Sequence, residues 1–149
     1  MAAQRTAEVV WEGSLLEGAG KVRMASSGAF GEYPVTWASR AEDPEGRTSP
    51  EELMAAAHAA CYAMAFSNFL NKAGTPPRSL DVEATATFAP KEGGGMHVST
   101  MEISVQGDVP GLDQAAFEQA AREGEEGCPI SNALRGNVEI SVSATLASG

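Results

Sequence analysis

Residues 48–70 read TSPEELMAAAHAACYAMAFSNFL. Ser49 suits a helix N-cap, Pro50 suits the first helical position because its missing N–H is a donor a helix leaves unpaired anyway, and Glu52 stands where a capping box puts its carboxylate. Beyond Leu53 the run is apolar nearly all round, the pattern of a helix buried on every side rather than along one stripe. Gly74, then Thr75, Pro76 and Pro77, end it, so the sequence predicts one long helix over residues 50–73. Its many alanines let a neighbouring helix come close. A chain of 149 residues has few elements with which to enclose such a helix, which points to a second copy covering it.

Outward from that helix the text changes period. Residues 8–33 read as short strands, EVVWEG and GKVRMAS, punctuated by Gly13, Gly18 and Gly20. Residues 39–47, SRAEDPEGR, are polar with Pro44 and Gly46 and read as a loop. After the helix, residues 79–88 and 96–107 alternate with period two, and KEGGG between them makes a flexible hairpin turn. Residues 112–123 read as an amphipathic helix with Ala115, Ala116, Phe117 and Ala120 inward. A short helix begins at Cys128–Pro129, and residues 137–146 form a closing strand. The order predicts a single α+β domain over residues 1–149 with mainly antiparallel pairing.

Composition sets the class. With 43% hydrophobic and 20% charged residues the chain has material for a core, which excludes a disordered chain. Twenty acidic against ten basic residues leave a net charge of −10 with no cluster of Lys or Arg, which argues against nucleic acid and anionic membrane surfaces. No apolar run is expected to reach the ~18 residues of a membrane span. The start, MAAQRTAEVVWEG, lacks an apolar core like that of a secretion signal, so the expectation is a soluble, cytoplasmic protein with no membrane partner.

Two cysteines stand out in a chain expected to stay in a reducing compartment. Cys61 lies mid-helix, where an ordinary buried thiol has a raised pKa and is inert unless a cation and solvent reach it. Cys128 sits in GEEGCPISNALRG. If Pro129 opens a helix, Cys128 is its N-cap, where amide donors favour a thiolate. These settings do not rank the two thiols as attacker and partner. Glu52 is taken up by capping, which leaves Glu51 open to an arginine, with Arg40 and Arg47 nearby. His58 shares a helix face with Cys61, and with His97 and Cys128 the four could compose a Cys₂His₂ zinc site. The spacing supports that weakly, and His58 reads better as a packed or hydrogen-bonded histidine. No P-loop, Rossmann or G-x-S-x-G signature occurs.

PEEL, AAHAAC and CPIS, in this order, closely resemble the OsmC/Ohr family of thiol-dependent peroxidases, the osmotically inducible and organic hydroperoxide resistance proteins. The likeness covers nearly the whole chain from Trp11 onward. Ser39–Arg40 ahead of the helix resembles the OsmC branch, since the Ohr branch takes its arginine from close to the N-terminus. The resemblance implies mainly antiparallel sheets wrapped around a central buried helix in an intertwined homodimer. It implies a cofactor-free antioxidant enzyme of the stress response, reducing organic hydroperoxides to alcohols with no metal. Cys61 is then the peroxidatic cysteine and Cys128 the resolving one. Arg40 holds the Cys61 thiolate and Glu51 orients that arginine. A dithiol reduces the resulting disulfide, and the family suggests a lipoylated protein as donor. The gap from Arg40 to the helix is one residue longer than the family's pattern, which keeps Arg47 as an alternative. A redox-sensing or hydrophobic-ligand-binding module is the competing reading.

Geometry adds a constraint. Glu51 and Cys61 are ten residues apart, about 15 Å along one straight helix, farther than an Arg–Glu pair spans. The expectation is that two such helices pack antiparallel and Glu51 serves the Cys61 of the partner subunit.

Overall fold

A computed structural model describes residues 1–147. The chain divides into two compact units, Met1–Leu53 and Met54–Gly149. In the first unit the glycine-punctuated runs become β1 (Glu8–Glu12), β2 (Ala19–Arg23) and β3 (Glu32–Val35), an antiparallel sheet in that order. Gly20 pairs with Trp11 across β1 and β2, and a Cβ there would lie 2.8 Å from the indole ring.

The expected loop over residues 39–47 is in part a helix, α1 (Trp37–Ala41). Thr36 caps it: its hydroxyl accepts the Ser39 N–H, and the Ser39 hydroxyl accepts the Thr36 N–H, both at 3.0 Å. This is a capping box made of two hydroxyls, where the usual signal carries Glu or Gln at the third helical position.

The long helix α2 (Pro50–Lys72) opens as predicted, and the division between the units falls in its first turn. The Ser49 hydroxyl accepts the Glu52 N–H at 3.1 Å. The Glu52 carboxylate accepts from the Thr48 hydroxyl at 2.7 Å instead of reaching back to Ser49, so half of the expected box is made. Within one chain the helix is buried along one side. Ala55, His58, Tyr62, Phe66 and Leu70 form one buried stripe, while Ala56, Ala60 and Met64 are exposed, Met64 by 69%. By length and composition α2 could cross a membrane, against the expectation that no run would qualify, because alanine supplies modest hydropathy over its whole length. Its buried stripe belongs to a packed core.

In the second unit β4 (Ser79–Pro90) and β5 (Met96–Asp108) form the expected hairpin, closed by Lys91 N–H on the Gly95 carbonyl at 2.9 Å. The chain then passes through α3 (Gln114–Glu126) and α4 (Pro129–Leu134) to β6 (Glu139–Leu146). That helical crossover returns β6 parallel to β5, so this pair departs from the antiparallel expectation. The inner face of α3 is Phe117, Ala120, Ala121, Gly124 and Glu125. Ala115 and Ala116 lie outside, because Asp113 caps the helix and places them in its exposed first turn.

Tyr62, Phe66 and Leu70 of α2 form one core with Met101, Ile103 and Val105 of β5, Phe117 of α3, and Cys128. Phe66 stacks against Tyr62, and Phe117 lies tilted on its other contact, with centroids 5.6 and 5.5 Å away. Each fully buried Phe or Leu contributes about 1.5–3 kcal/mol.

Candidate active site

In the first unit α1 presents Arg40 to the first turn of α2. Arg40 Nε donates to Glu51 Oε1 and Oε2 at 3.1 and 3.2 Å, and Nη2 donates to Oε1 at 2.7 Å. The Glu51 side chain is 9% exposed and that of Arg40 32%. A shared frame sets this pair: Ser39 Oγ donates to the Thr48 carbonyl at 2.9 Å, and the Thr48 hydroxyl holds Glu52. Arg47, the other cation considered, pairs with the exposed Glu45 at 3.3 Å.

Arg40 also walls an apolar recess of ≈ 310 Å³, lined by Trp11, Val22, Val35, Trp37 and Leu53 among others. Strand and α1 side chains supply most of the wall.

In the second unit the thiols of Cys61 and Cys128 come together, both free. Cys61 is half-buried on α2 and Cys128 is fully buried at the N-cap of α4. Pro129 opens the helix as predicted, but the Cys128 side chain takes no capping hydrogen bond. The Ile130 amide, in the first turn of α4, faces Cys61 instead. Burial pushes the Cys61 thiol above its usual range, the Ile130 amide opposes that, and the Cys128 thiol adds to the rise.

Around this pair polar contacts tie the helices together, among them Asn132 Nδ2 of α4 donating to the Glu126 carbonyl of α3 at 3.2 Å. His58 Nε2 and Ser131 Oγ share a hydrogen bond of 2.7 Å between α2 and α4. The Tyr62 hydroxyl donates to the Ala121 carbonyl at 3.0 Å, joining α2 to α3. Arg135 donates to Glu125 at 2.9 Å, joining the end of α4 to α3. Burial, Glu125 and Cys128 push the Tyr62 phenol up. Burial lowers the His58 pKa against the opposing pull of Glu125. Its Nδ1 is buried with no hydrogen-bond partner among the described residues.

The four sequence candidates thus fall into two pairs, Arg40 with Glu51 in one unit and Cys61 with Cys128 in the other. Among the described residues no three His, Cys, Asp or Glu side chains converge as a metal site requires. Ser131 and the Ile130 amide received no role from sequence, although both lie within CPIS. Which backbone amide faces which sulfur depends on how two helices meet, and no local pattern encodes that.

The family model for OsmC-like protein matches residues 42–143. Peroxiredoxin OsmC of Escherichia coli is 33% identical over 140 residues, spanning 94% of this chain and 96% of its own. An organic hydroperoxide resistance protein-like protein of Staphylococcus saprophyticus is 30% identical over 105 residues, 70% of this chain and 73% of its own. The crystal structure of the organic hydroperoxide resistance protein OhrB of Bacillus subtilis superposes with a TM-score of 0.72 at 23% identity, covering 94% of this chain and 98% of that one. With an α+β architecture common to these structures and a family match across most of its length, the chain belongs to the OsmC-like family.

Proposed function

We propose that this chain, acting as one domain within a homodimer, is a thiol peroxidase that reduces organic hydroperoxides to alcohols. The relatives named peroxiredoxin OsmC and organic hydroperoxide resistance protein support a peroxidase-type role. The observation that carries the finer reading is the asymmetry of the two thiols. Cys61 is the one open to solvent and carries an amide donor; Cys128 is buried beside it without one. That makes Cys61 the attacker and Cys128 the resolver.

The Cys61 thiolate attacks the distal oxygen of the hydroperoxide. An S–O bond forms, the O–O bond breaks, and the alkoxide leaves as alcohol after taking a proton, giving a sulfenic acid. The Cys128 sulfur then attacks the sulfenic sulfur, and hydroxide departs with the Cys128 proton as water. A dithiol reduces the bridge by exchange, itself becoming a disulfide; a lipoylated protein is the donor class favoured. Burial opposes ionisation of Cys61, so a cation must supply the balance. Arg40, fixed by Glu51, fills that role, and the apolar recess it walls suits an organic tail.

Glu51 and Cys61 are ten residues apart on α2, about 15 Å along the axis. Arg40 is bonded to Glu51 of its own chain. The Arg40–Glu51 pair is therefore proposed to serve the Cys61 of the partner subunit, across α2 helices that meet on the exposed Ala56, Ala60 and Met64 face.

Consumption of cumene hydroperoxide with dihydrolipoamide tests the reading. Wild type turns over, Cys61→Ser does not, and Cys128→Ser completes one turnover before stalling in a sulfenic or more oxidised state read by mass. Wild-type protein that closes a 61–128 bridge without turnover would be a redox sensor, and the peroxidase reading would fall.

A further inference from the structure

The buried pair His58–Ser131 has no part in the chemistry just described. Its position is informative. His58 and Cys61 lie three residues apart on one face of α2. Ser131 follows Ile130 in the first turn of α4, and Ile130 is the residue whose backbone faces Cys61. Cys128 caps the same turn. One turn of α4 thus meets one face of α2 at two neighbouring places, the imidazole and the thiol.

α4 has only six residues and no side-chain cap, so it has little means of fixing its own place. Polar contacts hold it from outside: Arg135–Glu125 and Asn132 on the Glu126 carbonyl towards its C-terminal end, and His58–Ser131 at its first turn. Both His58 and Ser131 are fully buried, so the bond competes with no water.

We propose that His58 is a positioning residue: its hydrogen bond to Ser131 sets the first turn of α4, with the Ile130 backbone and Cys128, against the Cys61 face of α2. Both peroxide attack and closure of the bridge then start from one fixed geometry. This inference rests on the reading of Cys61 and Cys128 as a redox pair.

The test uses the full chain and a chemical oxidant, so that it does not depend on peroxidase turnover. Diamide takes two electrons and two protons from the two thiols, becoming a hydrazine as the disulfide forms, and the bridge is timed by mass. The Cys61 thiolate is titrated by absorbance in a Cys128→Ser background. A net hydrogen bond is worth about 0.5–1.5 kcal/mol, so His58→Leu and Ser131→Ala each slow bridging by about three- to tenfold and move the thiolate midpoint upward. His58→Gln, which keeps a hydrogen-bonding group, restores most of both. Where His58→Leu fails to fold, Ser131→Ala decides. A lowered melting temperature with wild-type bridging rate and wild-type midpoint marks a merely structural bond and overturns the proposal. Failure of wild type to consume hydroperoxide would sink the peroxidase reading alone, because bridging and titration remain readable.

Discussion

Glu51 is a carboxylate almost out of reach of water, and three donor contacts from Arg40 answer its two oxygens. Such a pair is geometrically specific, because the planar guanidinium fork admits few orientations. The arrangement matters for Cys61, whose burial and whose Cys128 neighbour both raise its pKa against a single opposing amide. In the proposed mechanism a fixed cation, Arg40, reverses that balance, and the sign of its removal follows. Without Arg40 the thiolate is less stable, the Cys61 pKa rises, and the acid limb of the rate–pH profile moves to higher pH. Each unit of that rise costs about tenfold in thiolate at a pH well below the midpoint. Arg40→Ala should therefore slow the first, peroxide-consuming step at neutral pH by about tenfold or more and regain part of it in alkali. Glu51→Gln should act in the same direction and more weakly, since the cation stays but loses its anchor. Stopped-flow rates across pH check this, and an unmoved acid limb in Arg40→Ala would remove the cation from the mechanism.

At the scale of elements, the site depends on how closely α3 approaches α2. Gly124 is the contact: a Cβ there would stand 2.7 Å from the Phe66 ring and 3.3 Å from its Cα. Phe66 is pinned between Tyr62 and Phe117, so it has little room to yield. Four residues beyond Gly124 the chain reaches Cys128, which makes this approach part of what sets the second thiol against Cys61. Gly124→Ala gains up to ~1 kcal/mol of helix propensity but incurs about 1–3 kcal/mol of overpacking. The expected net result is a lower melting temperature together with slower closure of the 61–128 bridge. A variant as stable as wild type would mean that the helices part without cost. Several elements show why local signals were or were not sufficient. The cap at Ser49 and the stop at Gly74 bound α2 because both are contiguous patterns. The helix α1 escaped because its box uses serine where the usual signal carries a carboxylate. The parallel pairing of β6 escaped because a strand's alternation carries no direction.

At the scale of the whole molecule, residue types were legible in the sequence and the way they face each other was not. Cys61, Cys128, Arg40 and Glu51 were all visible as residue types in suggestive settings. The pairing of Arg40 rather than Arg47 with Glu51 needed α1 in place, and the proposed ranking of the two thiols draws on their burial and on the Ile130 backbone. The exposed alanine and Met64 face of α2 carries the argument furthest, since a helix apolar all round is buried along only one stripe by its own chain. A second copy on that face, with α2 antiparallel to α2, would bring the Arg40–Glu51 pair of one chain toward the Cys61 of the other. Mixed subunits separate this from a site made within one chain. A chain carrying Cys61→Ser still offers Arg40, and a chain carrying Arg40→Ala still offers Cys61. Each is nearly inactive alone, yet a dimer of one with the other contains one complete site if the residues come from different chains. Random reassociation of equal amounts should then restore about a quarter of wild-type activity, because half of the dimers are mixed and each has one working site of two. Activity that stays at the level of the separate variants, with mixed dimers demonstrated by native mass spectrometry, would place every catalytic residue within a single chain.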